Sequence, residues 1–163
     1  MKDMFWEVKE IPGESTSANG KDMIDILSFN HGVSMPLSNV AGSISKASGK
    51  CVHKDFTITK HVDKASPILN EKCSGGTSFP KMQIHLWKAD SGKTALEYLT
   101  YTFENCILTS VDVGGGGAQP IETVKFTYAT ITWDYMKQKP GGNLGKGGKT
   151  AGGWDLDKNK AKG

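Results

Sequence analysis

The sequence predicts a mostly β protein, a small antiparallel β barrel or sandwich with one short α-helix at about residues 66–74 and a long extended loop. Three observations predict it. Most apolar residues fall in segments of period two that are rich in Thr, Val, Ile and aromatics. Glycine and proline clusters separate those segments. A single stretch carries both a helix start and a helix stop. With 163 residues, 37% hydrophobic and 23% charged, the chain fits one folded domain over 1–163 rather than a disordered polymer.

The first strand is expected at Met4–Ile11. Pro12-Gly13 and Asn19-Gly20 then mark turns before a second strand at Met23–Phe29. There Ile24, Ile26, Leu27 and Phe29 form an apolar run, stopped by Gly32 and Pro36. Asp25, Ser28 and Asn30 interrupt it, so one face of this strand is not oily. Residues 36–50 (PLSNVAGSISKASGK) are the extended loop, with isolated Leu37, Val40 and Ile44. Loops of that length in a compact domain are uncommon unless functional. Cys51–Val62 puts Val52, Phe56, Ile58 and Val62 on one face, and Lys54 and Lys60 break that face. For the helix, Ser66 suits the cap, Pro67 the first helical position, and Ile68, Leu69, Lys72 and Cys73 form a short stripe. Gly75-Gly76 ends it.

Lys81–Lys88 sets Met82, Ile84 and Leu86 against Gln83, His85 and Trp87. Ala95–Phe103 and Ile107–Val113 follow as two strands, then a four-glycine turn at Gly114–Gly117. Ile121–Tyr135 is the longest expected strand. Residues 136–163 are a Gly/Lys-rich C-terminal tail, in which 140–153 reads as a flexible linker before Trp154-Asp155-Leu156.

Charge divides along the chain. The last 28 residues hold seven lysines and two aspartates, so residues 1–135 are net −2 although the whole chain is +3. All 20 basic residues are lysines. Arginine is the usual bidentate reader of phosphate and guanine, so no nucleic-acid partner is expected. Cys51, Cys73 and Cys106 are odd in number, widely spaced and without a C-x-x-C pair. That fits reduced thiols in a cytosolic protein, with neither a disulfide framework nor a zinc site. The N-terminus lacks a signal-peptide core, and no run approaches the ~20 apolar residues of a membrane span. No stable membrane insertion is expected, and any export bypasses a cleaved signal.

Enzyme motifs are missing from the pattern. Gly-Lys-Thr occurs at Gly92–Thr94 and Gly148–Thr150, but a phosphate-binding loop needs a glycine five residues earlier, where Trp87 and Asn143 stand. No G-x-S-x-G is present. Cys106 has no activating neighbour in sequence and reads as an inert buried thiol. His31, His53, His61 and His85 show no ligand spacing. His53 and His61 on one extended strand lie about 26 Å apart. Solvated surface is the expectation for Glu7, Glu10, Glu14, Asp22 and Asp25. No catalytic residue, cofactor or metal is expected.

Seven segments, in order, resemble one family. They are IPGES at Ile11–Ser15, K-D-x-I-x-I-L-S-F at Lys21–Phe29, G-V-S-x-P at Gly32–Pro36, DFTITKHVDKASPIL at Asp55–Leu69, EYLTYTFENCILTSV at Glu97–Val111, PIETV at Pro120–Val124 and GWD at Gly153–Asp155. Together they resemble the hemolysin-coregulated protein (Hcp) family of type VI secretion. The resemblance implies a small β barrel with one helix that assembles into homohexameric rings. Such rings stack into the inner tube that a sheath expels with baseplate and spike proteins, and the lumen holds small effector proteins. It also implies residence in the bacterial cytoplasm, then secretion.

On that reading, Ser28 and Asn30 face the lumen and touch effectors. Leu37, Val40 and Ile44 on the extended loop, Asp90, Ser91 and Gly92 in a strand turn, and Trp154 and Asp155 near the C-terminus are expected at subunit or ring interfaces. Trp154 is expected to serve as a packing anchor. The alternative is a monomeric β-sandwich binding module, carbohydrate- or adhesin-like, using Trp87, Tyr98 or Tyr101.

Overall fold

A computed structural model describes residues 2–37, 50–89, 95–138 and 146–162. Its strands are β1 (Lys2–Glu7), β2 (Ile24–Asp25), β3 (Ser28–Asn30), β4 (Val33–Ser34), β5 (Val52–His53), β6 (Phe56–His61), β7 (Ser78–Ala89), β8 (Ala95–Gly114), β9 (Ile121–Thr127), β10 (Thr130–Gln138), β11 (Lys146–Asp155) and β12 (Lys160–Ala161), with α1 at Ser66–Ser74 between β6 and β7. The mostly β architecture with one short helix is the one the sequence predicts. Among the described residues no helix is long and apolar enough to cross a membrane.

The long strand β8 organises the sheet. It pairs with β7 along Ala95–Ile107, with β10 over Leu99–Glu104, and with β9 over Ile107–Gly114. Two strands were expected here, because Glu104 and Asn105 interrupt the apolar alternation. The chain instead runs on, and Asn105 takes a left-handed φ of 53° where β8 leaves β10 for β9. Asparagine is one of the few residues that tolerates this conformation.

From β8 one ladder runs through β7 and β1 to β2, and another through β9 and β6 to β3. The segment Met23–Phe29 was expected as a single strand. It hands over from β1 to β6 at Ile26 and Leu27, whose N–H groups donate to Met4 and Thr59 carbonyls. The sheet therefore wraps into a barrel-like shape without a ladder between β2 and β3. Ile121–Tyr135 likewise divides at Tyr128-Ala129, because its halves pair with different parts of β8. Cys51–Val62 divides into β5 and β6, and among the described residues β5 pairs only with β4, in a separate two-stranded ribbon.

Aromatic side chains fill the centre. Phe103 meets Phe56 and Phe126 edge-on, each at 4.9 Å between centroids, and Trp6 stacks on Phe126 at 5.8 Å. Such pairs contribute about 0.5–1.5 kcal/mol each beyond the area they bury. Ile58, Ile84, Val124 and Ile131 close the core around them. The helix lays Leu69 into this core, and the Cys73 thiol points at the Leu108 carbonyl.

The helix has the predicted bounds but not the predicted cap. Ala65 holds the cap position without a side-chain bond. The Ala65 N–H donates instead to Asp63 Oδ1 at 2.9 Å, and Ser66 Oγ turns inward to donate to Glu122 Oε2 at 2.7 Å. That inward turn completes a polar knot around Lys60, which lies fully buried on the core face.

The linker expected at 140–153 is corrected over its second half. Lys146–Asp155 is β11, paired with β10 from Gln138 to Thr130. Glycine and lysine carry no strand signal in their side chains, but a neighbouring strand needs only backbone groups to form a ladder. β12 then pairs back on β11, and Lys162 Nζ reaches Glu104 Oε2 at 2.6 Å. The Lys-rich end is thus folded onto the sheet, and lysines on its outermost strand discourage further strand pairing.

Candidate functional site

The outer face of β3, β6 and the middle of β9 is polar, and Ile107 and Ile121 are exposed apolar residues at its margins. The register places Ser28 beside Thr59 and Asn30 beside Thr57, then Thr59 beside Thr123 and Thr57 beside Lys125. Period two forces this: Phe29, Ile58 and Val124 occupy the alternate positions and point into the core. Ser28 and Asn30 are exposed, and the Ser28 and Thr59 hydroxyls share a hydrogen bond. The result is a hydroxyl- and amide-rich wall with few charges, able to touch proteins without gripping a particular one.

A second locus surrounds the β4–β5 ribbon. Val33, Met35, Leu37 and Val52 are exposed here, Leu37 at 69%. Beneath the ribbon lies a cavity of about 330 Å³ lined by Val33, Ser34, Met35, Cys51, His53, Trp133 and Trp154. At its inner edge the Tyr128 hydroxyl meets His31 Nε2 at 2.5 Å and His53 Nδ1 at 3.0 Å. Burial pushes the Tyr128 hydroxyl well above the usual phenol range, with the Asp55 charge adding to it.

Other predicted positions separate clearly. Trp154 sits in β11 opposite Ile131 and packs against the core, as an anchor would, with its indole N–H buried and without a partner among the described residues. Asp155 Oδ1 accepts the Lys158 N–H at 2.9 Å and so shapes the β11–β12 turn. Val40, Ile44, Asp90, Ser91 and Gly92 lie outside the described residues. The positions offered for a carbohydrate module do not converge on one pocket: Tyr98 borders a polar groove with Glu97, Thr100 and Asp134, without Trp87 or Tyr101.

The reading by spacing missed three groupings: His31–Tyr128–His53, His85 between Glu7 and Glu97, and the buried Lys60–Glu122 pair. Each joins residues from separate parts of the chain, so no local spacing could signal it. Lys60 at a core position was the one available clue. Cys106 is buried, and burial pushes its thiol up to about 12, which suits packing rather than nucleophilic work. Among the described residues no group of three or more His, Cys, Asp or Glu side chains is placed to hold a metal ion.

Residues 5–135 match the family described as type VI secretion system effector, Hcp. The chain belongs to the Hcp family. Protein hcp1 of Pseudomonas aeruginosa is 32% identical over 159 residues, covering 96% of each chain. The major exported protein of the same organism is 30% identical over 131 residues, covering 76% of this chain and 74% of its own. Among solved structures, a type six secretion system protein superposes with a TM-score of 0.88 at 28% identity, covering 99% of this chain and all of the other. Hcp1 from Salmonella typhimurium superposes with a TM-score of 0.81 at 27% identity, covering 99% of both chains. This Hcp chain is therefore a type VI secretion protein, and its mostly β fold with a short helix is the family's.

Proposed function

We propose that this chain is a tube subunit of the type VI secretion system, which forms homohexameric rings that stack and are expelled, and whose lumen carries small effectors. The observation that carries this reading is the polar face around Ser28 and Asn30, on a member of a family of secreted proteins. A lumen wall needs that quality: polar, nearly uncharged and continuous across several strands. The exposed apolar residues at the other locus suit the opposite need. A closed ring requires each copy to present a heterologous contact to the next, and Val33, Met35, Leu37 and Val52 at the base of the extended loop supply an adhesive patch for it. Partners are then other copies of the chain, sheath, baseplate and spike proteins, and effectors. The protein is made in the bacterial cytoplasm and leaves with the tube.

The test is the assembly state of the purified protein, by light scattering and negative-stain imaging. Six-membered rings with an open centre are the expected result. A monomer that stays monomeric at high concentration overturns the reading, and thermal stabilisation of that monomer by sugars would favour a binding module instead.

A further inference from the structure

We propose that Tyr128, His31 and His53 form an acid-released latch that holds the β4–β5 ribbon against the body of the fold. The ribbon needs such a device. Among the described residues, β4 and β5 pair only with each other, through Val33 with His53 and Ser34 with Val52. An isolated two-stranded ribbon is marginal in water, so side chains must hold it down. Among the described residues, the side-chain hydrogen bonds that tie it and its lead-in to the main body, from His53 in β5 and from His31 two residues before β4, converge on one atom, the Tyr128 hydroxyl between β9 and β10. Apolar contact through the cavity wall at Trp133 and Trp154 is the remaining attachment.

The chemistry of that junction depends on protonation. The arrangement that leaves all three groups neutral and paired has the hydroxyl donating to one imidazole and accepting the N–H of the other. When both rings are charged, the hydroxyl loses its acceptor, and two cations sit 6.2 Å apart between centroids. His31 also lies against Phe56 at 5.5 Å, so its charge is poorly solvated. Burial, and then the neighbouring His53, lower His31 to about 4, and burial lowers His53 as well.

The surrounding groups offer little compensation. Trp133 faces the pair from β10 and Phe56 from β6. Cys51 stands beside them, and Lys54 runs past Gly32 with a like charge. Asp55 is the carboxylate whose field reaches Tyr128, and the Thr109 hydroxyl already binds it at 2.7 Å. Both histidines therefore resist protonation in the closed state. In an opened ribbon they titrate near the ordinary 6.5, so proton binding favours opening as pH falls from about 6.5 towards 4. The ribbon bears the exposed Val33 and Val52 and flanks the extended loop. If the tube reading holds, on which this clause rests, acid would loosen the contact between ring neighbours.

The experiment is hydrogen–deuterium exchange by mass spectrometry at pH 7.0 and 4.5, corrected for intrinsic rates. Peptides spanning 31–35 and 51–54 are compared with peptides from β7 and β8. The expected result is at least a tenfold loss of protection in the ribbon peptides alone. H31Q/H53Q, which cannot titrate, is expected to abolish the pH dependence. Y128F, which keeps the ring in the core, is expected to leave the ribbon equally unprotected at both pH values. Constant protection in the unmodified protein overturns the proposal, as does an undiminished loss in H31Q/H53Q. The exchange comparison reads equally on monomer or ring. Absence of rings at pH 7.0, seen by light scattering, would refute the tube reading alone.

Discussion

Lys60 Nζ lies 2.8 Å from Glu122 Oε2, and neither side chain is exposed to solvent. The ammonium also reaches Asp63 Oδ1 and the His61 carbonyl, each at 2.8 Å. Glu122 takes a second bond from Ser66, while its other oxygen, Oε1, is buried without a partner among the described residues. The pair thus ties β6, β9 and the start of α1 at one point. Removing one partner strands the other charge in the core. Lys60→Met is expected to cost about 3–5 kcal/mol, a fall of roughly 10 °C or more in Tm for a chain this long. Lys60→Met with Glu122→Met should recover much of that loss, because it removes both charges. Thermal unfolding of the single and double variants checks it; a double variant no better than the single would mean that the pair does not act as a unit.

The IPGES segment near the N-terminus has a steric reason. The Gly13 N–H donates to the Asp22 carbonyl, and a Cβ on Gly13 would fall 2.0 Å from the Met23 carbonyl oxygen. Backbone cannot yield as a side-chain tip can. Gly13→Ala is expected to destabilise the fold by about 3 kcal/mol. Gly116→Ala, where a Cβ meets nothing within 4 Å, should be neutral within about 0.5 kcal/mol. Urea midpoints of the two variants make the comparison.

Asn30 tests the polar face. It is exposed on β3, so Asn30→Trp should leave stability within about 0.5 kcal/mol. Rings, read by light scattering, should form as before. Effector proteins that co-purify with those rings should change in amount, because a bulky indole occupies the wall. Unchanged recovery would remove Asn30 from the proposed lumen.

Much of the fold was legible in the sequence where side chains report their surroundings. Met82, Ile84 and Leu86 alternate within β7, and all three are buried as that alternation predicts. Pro67 and Gly75-Gly76 bracket the helix at its observed bounds. Legibility failed where backbone or distant partners decide. Nothing in Lys146–Asp155 marks a strand, since β10 supplies its ladder. Lys60 read as a break in an apolar face, although a carboxylate 62 residues away makes it a core residue. The candidate site divides in the same manner. Ser28 and Asn30 follow from alternation, whereas His31 and Tyr128 meet across 97 residues of chain.

His85 predicts an opposite pH response from that of the ribbon histidines. Its Nε2 lies 2.8 Å from Glu7 Oε2 and its Nδ1 2.5 Å from Glu97 Oε1, so strands β1, β7 and β8 meet at one imidazole. Burial alone would lower the pKa, but hydrogen bonds to Glu97 and Glu7, with the charge of both, raise it above 6.5. Glu97 shifts the other way: burial pushes it up, and its bonds to His85 and Thr100, with the His85 charge, bring it below 4.5. A histidine raised in the folded state stabilises fully below 6.5 and loses that contribution as pH rises through its folded value. The carboxylate does the reverse, contributing above 4.5 and losing it on acidification. Because the carboxylates are partly exposed, the effect is on the order of 1 kcal/mol. His31 and His53, lowered in the folded state, push stability the other way over the same range, so the comparison is made in H31Q/H53Q. The urea midpoint of that variant should fall between pH 6 and 8, before unfolded Cys106 begins to ionise near its ordinary 9. With His85→Gln added to it, the midpoint should start lower at pH 6 and stay flat across that range. A variant that keeps the original slope would place the titration elsewhere.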